Sequence, residues 1–167
     1  KHGDSQRLNV FAGQMGTINV SEANTLAWMN SHVSGDGGAI HNAGTLTLGK
    51  DVLFTNNVVD NWGGAIYNSG QLELGQGSKF INNDARYGGA IDKDGTFILG
   101  SGAGFSGNTT DNRGGAIYNY SGRFSIDTGN HLDTTLFTGN LASNDSNSIY
   151  MRSGELIIFG AGTLDMR

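Results

Sequence analysis

The chain has 167 residues, 28 of them glycine, with no proline, no cysteine, 15% charged residues and a formal net charge of -5. That length suits one domain, and the missing cysteines exclude a disulfide scaffold and thiolate metal sites. The ten Lys and Arg are too scattered to hold a nucleic-acid backbone, no run approaches the roughly 18 apolar residues of a membrane-spanning helix, and Lys1-His2-Gly3-Asp4 is no signal peptide.

Residues 1–16 carry no repeated word, and Leu8, Val10 and Phe11 there predict a lead-in strand that caps the first rung. Thr17-Ile18-Asn19-Val20 opens an apolar-polar-apolar triplet that returns as Leu46-Thr47-Leu48, Leu72-Glu73-Leu74, Phe97-Ile98-Leu99, Phe124-Ser125-Ile126 and Leu156-Ile157-Ile158. Alternation of period two predicts strands. A second word has an aromatic residue first and Asn fourth: Phe54 to Asn57, Phe80 to Asn83, Phe105 to Asn108 and Phe137 to Asn140, with Trp28 in the same slot one rung earlier. A third word begins with a glycine pair: Gly37-Gly38-Ala39-Ile40, Gly63-Gly64-Ala65-Ile66, Gly88-Gly89-Ala90-Ile91 and Gly114-Gly115-Ala116-Ile117, at steps of 26, 25 and 26 residues. It decays to Ser146-Asn147-Ser148-Ile149-Tyr150, after residues 127–134 have lengthened one unit as a loop bulging from a turn.

Self-similarity at this period is the signature of a stack of units that bury a core only against one another. The expected fold is all-β: a right-handed parallel β-helix of about five to six rungs, each with three short strands, in a single segment 1–167 whose rungs occupy 17–160. Ile40, Ile66, Ile91 and Ile117 form one inward column, and the four Phe residues form an aromatic ladder. Asn57, Asn83, Asn108 and Asn140 form an amide ladder that satisfies a corner's backbone groups. The glycine pair reads as a corner in which a positive φ, the missing side chain, or both are needed.

The words Gly-Gly-Ala-Ile and Phe-x-x-Asn, over roughly 28–150, resemble the tandem motifs of the polymorphic membrane protein type of bacterial autotransporter passenger. The resemblance implies a β-helical passenger that is exported through a C-terminal outer-membrane barrel and displayed as an adhesin or released. Its partners would be a host-cell surface protein or a glycan, and membrane attachment would run only through a barrel that this chain does not contain. Chlamydial members are often cysteine-rich and this chain is not, which leaves similar passengers of other Gram-negative bacteria as the alternative.

Tyr67, Tyr118 and Tyr150, with His41 and Asp92 in equivalent slots, lie on the face opposite the isoleucines. They form a candidate partner-binding surface of exposed rings on a flat sheet. Asp60, Asp84 and Asp111 precede their glycine pairs by three or four residues and line up as an acidic edge, read first as solvated carboxylates, with a calcium column as the alternative. No cofactor is expected. A carbohydrate-active β-helix, lyase-like, is the enzymatic alternative and rests on Arg86 with Asp84 and Arg113 with Asp111; His2, His32, His41 and His131 share no ligand spacing. The preferred expectation is a non-enzymatic adhesin or stalk that self-associates through the edge at Leu156-Ile157-Ile158-Phe159.

Overall fold

A computed structural model describes residues 7–19, 26–145 and 147–167. His2, Val20, Ser146 and the first six residues of the expected cap lie outside the described residues. The chain is a parallel β-solenoid whose strands stack into three six-stranded sheets and one five-stranded sheet. One coil shows the plan: Ile66–Asn68, Gln71–Leu74, Lys79–Ile81 and Asp84–Ala85. The first three strands are the three words. The fourth, only two residues long, adds a short side to the expected three-strand coil and carries the chain from the asparagine corner to the glycine corner.

The predicted lead-in is a full member of the first coil: Leu8–Val10 pairs in parallel with Ile40–Asn42. Phe11 lies outside that strand and is 65% exposed. In the second sheet Gly16 stands opposite Leu46 and Ile18 opposite Leu48, so the expected triplet from Ile18 to Val20 is displaced by two residues. Ile18 closes the triplet rather than opening it, and Gly16 takes the inward place before it. At the other end Thr163–Met166 pairs with the strand containing Phe137, so stacking continues past 160. The expected loop at 127–134 is narrower, since one strand runs through Asp127 and the next starts at Thr134. Side-chain oxygens of Asp127, Asn130 and Asp133 accept hydrogen bonds from backbone N–H groups of this turn.

Inside the coil the columns are those of the words. Ile40, Ile66, Ile91 and Ile117 are in register and fully buried. Trp28, Phe54, Phe80, Phe105 and Phe137 stack with centroid separations of 5.1, 4.7, 4.6 and 4.6 Å, each pair adding about 0.5–1.5 kcal/mol beyond area burial. A second pair, Phe97 and Phe124, stacks at 5.0 Å in the neighbouring sheet. The expected amide ladder is present: Nδ2 of Asn57, Asn83 and Asn108 donates to Oδ1 of Asn83, Asn108 and Asn140 in turn, and each also donates to a backbone carbonyl of the aromatic word one coil back. These bonds fill the polar needs of a corner that water does not reach.

Both readings of the glycine pair hold, one for each member. Gly63 has φ of 66°, where L side chains are strained. Gly64 has ordinary φ, but a Cβ on it would lie 2.1 Å from the carbonyl oxygen of Gly89 in the next coil. The corner therefore fixes the turn with its first glycine and the approach of neighbouring coils with its second. The first-sheet strand that leaves this corner presents its middle member outward, and those outward residues build the site.

Candidate functional site

The outward column of the first sheet is His41, Tyr67, Asp92, Tyr118 and Tyr150, one residue per coil in unbroken parallel register. The structure thus brings together all five residues of the predicted surface. It corrects their setting. Rather than standing exposed on a flat sheet, Asp92 is only 3% and Tyr118 only 7% exposed, while His41, Tyr67 and Tyr150 are half-buried. The physical cause is crowding at one strand spacing: His41 meets Tyr67 at 5.0 Å, Tyr118 meets Tyr150 at 5.3 Å, and rings from flanking positions lean over them.

Those flanking residues were not singled out from the sequence. Trp62 and Tyr87, each the residue immediately before a glycine pair, form a bridge between coils and pack on Tyr67 at 5.7 Å and Tyr118 at 5.2 Å respectively. Tyr120, Asp94 and Arg152 line the same recess, of about 370 Å³. The signal was available, because the place before each glycine pair is itself a column, running Asp36, Trp62, Tyr87, Arg113. Two aromatic residues in that column stand next to the tyrosine column.

Electrostatics in the recess follow from burial. Loss of water pushes the Asp92 carboxyl well above its usual range, with Asp36 and Asp94 adding to the rise and Lys93 opposing it. Burial likewise raises the phenols of Tyr67 and Tyr118 and lowers His41. Arginines meet rings rather than carboxylates on this face: the Arg152 guanidinium lies 4.1 Å from the Tyr120 centroid and that of Arg113 lies 4.8 Å from Tyr150. On the inner side of the same strand, Lys93 replaces the asparagine found at Asn42, Asn68 and Asn119, and its ammonium donates to Oδ1 of Asn119 and to the Ser121 carbonyl.

The acidic edge is not one column. Asp84 stands opposite Val58 and Thr109, and the place aligned with Asp60 and Asp111, one beyond the Ala85–Thr110 pair, holds Arg86. Asp84 follows directly on its ladder asparagine whereas Asp60 and Asp111 come two places later, a difference that counting back from the glycines conceals. Among the described residues no group of three or more metal-ligating side chains is gathered. The lyase candidates separate in the same way: Asp84 accepts from the Thr109 hydroxyl, and Arg113 donates to the Tyr150 hydroxyl.

The repeat of the Chlamydia polymorphic membrane protein matches the chain at residues 51–69 and again at 105–120. Each match spans an aromatic word, the short fourth strand and the glycine word of the following coil, so the chain carries this repeat in two of its units, in keeping with the resemblance of its two words. No curated protein and no solved structure matches the chain.

Proposed function

We propose that this chain is a non-enzymatic segment of a bacterial passenger, displayed at the cell surface or released, that serves as an adhesin or stalk. A run of stacked coils gives a rigid rod, and the aromatic face around Tyr67, Tyr118 and Tyr150, with His41 and Asp92, is its contact with a host-cell or neighbouring-cell surface protein or glycan. The observation that carries this reading is the pair of matched repeats, each of which includes a strand of that face. Polar residues of the type that enzymes use are here engaged in ladders, corners and ring contacts, and fold alone implies no activity.

Beads coated with the purified chain are expected to adhere to cultured cells, with soluble chain competing. Adherence no greater than that of an unrelated β-solenoid of similar length would overturn the adhesive role. Metal-dependent cleavage in a panel of acidic and neutral polysaccharides, abolished by Arg113→Ala, would replace it with the carbohydrate-active alternative.

A further inference from the structure

In the outward column of the first sheet every described coil from His41 to Tyr150 contributes a ring except one. Asp92 takes the place of a ring between Tyr67 and Tyr118. The backbones on either side of it are two strand spacings apart, roughly 9.6 Å, and a carboxyl reaches less far from the sheet than a phenol. A slot therefore opens between two tyrosines, with Asp92 at its base and Trp62 and Tyr87 along one wall.

The base of this slot is acidic. Asp92 is 3% exposed and lines it together with Asp94, and Asp36 is near enough to raise the Asp92 carboxyl further. An acidic base of this kind favours a cation that can donate to it. The walls suit the same ligand, since tyrosine and tryptophan faces attract cations through their quadrupoles. Arg152 over Tyr120 and Arg113 over Tyr150 show guanidinium groups already seated on neighbouring rings of this face. A neutral sugar would stack on the rings without balancing the charge, and a quaternary ammonium would balance the charge without donating to the carboxylate.

We propose that the slot between Tyr67 and Tyr118 binds an organic cation bearing N–H groups, the guanidinium or ammonium of an arginine or lysine side chain on a partner protein, with Asp92 as its acceptor. This rests on reading the aromatic face as the contact surface and names the chemistry that it selects.

The test is titration of N-acetyl-arginine methylamide and N-acetyl-lysine methylamide into the full chain, followed by calorimetry and by Trp62 fluorescence in a Trp28→Phe background. Saturable binding with a dissociation constant on the order of 1 mM is expected for a single side-chain contact. Asp92→Asn should weaken it at least about tenfold, as should replacing the probe by tetramethylammonium or glucose. Tyr67→Leu, which leaves Asp92 in place, should also weaken it and decides the matter if the Asn variant fails to fold. Absence of saturable binding by both amides, undiminished binding in both variants, or equal binding of glucose or tetramethylammonium overturns the proposal. Cell adherence without amide binding overturns the slot and leaves the adhesive role; amide binding without adherence does the reverse.

Discussion

Lys93 and Asp92 are adjacent in sequence, buried on opposite sides of one strand, and coupled to pH with opposite signs. Burial lowers the Lys93 ammonium from 10.5 to about 8. Between those values the unfolded chain holds a proton that the folded chain has released, so this group makes stability rise with pH from about 8 to 10.5 and weighs against folding in full below that window. Lys93→Asn, which restores the residue found at Asn68 and Asn119, should therefore stabilise the chain by about 1–3 kcal/mol at neutral pH and flatten the alkaline rise, as read by urea unfolding on either side of the window. For Asp92 the carboxyl is raised, the folded state takes up the proton, and stability falls as pH climbs from 3.8 toward the folded value. Asp92→Asn should remove that fall. Lys93 was legible in the sequence as the unit where the word Gly-Gly-Ala-Ile is not followed by any residue and Asn, since Asp92-Lys93 stands where Tyr67-Asn68 and Tyr118-Asn119 stand.

The corner is the element that repeats most faithfully, and its two glycines fail in different ways when replaced. Gly64→Ala drives a methyl group into the Gly89 carbonyl, backbone against backbone, so that neither side can rotate away; a loss of at least about 3 kcal/mol is expected. The contrasting position is the third place of the aromatic word, where Asn56 and Asn82 have φ of 54° and 53° and Gly139 has 60°. A Cβ on Gly139 meets nothing within 4 Å, so Gly139→Asn should change thermal stability by less than about 1 kcal/mol. Thermal melts of the two variants side by side check both. Strand words, inward columns and the amide ladder could be read from period and spacing because each residue type recurs in one slot. The fourth strand could not, since two-residue strands as unlike as Val58–Val59, Asp84–Ala85 and Thr109–Thr110 show no alternation. The recess was legible only in part: the column before the glycine pairs carries Trp62 and Tyr87, whereas Tyr120 belongs to no repeated place, and periodicity does not say that side chains of adjacent columns lean together.

At the scale of the whole molecule, coils shield one another's columns and the last described coil has no neighbour above it. Leu156, Ile158 and Phe159 stand opposite Phe124, Ile126 and Asp127, and are 39%, 51% and 47% exposed. We propose that the 167-residue chain self-associates through this edge, whose strands also offer unpaired backbone groups. Ile157, opposite Ser125 on the outward side, is the place to add charge without disturbing the inward column: Ile157→Lys should lower the associated fraction in light scattering while leaving the melting temperature within a few degrees. A strictly monomeric parent at high concentration, or a variant that unfolds, would count against it. Stacking has a mechanical consequence as well. Every bond between coils runs along the long axis, so a pull on the two ends loads the coils in series and peels them one at a time. Each coil that yields frees about 26 residues, or roughly 85–95 Å of slack at full extension. Held in an optical trap, the chain should lengthen in a sawtooth of such increments, so that a load on its ends is met by successive small yields instead of by one rupture.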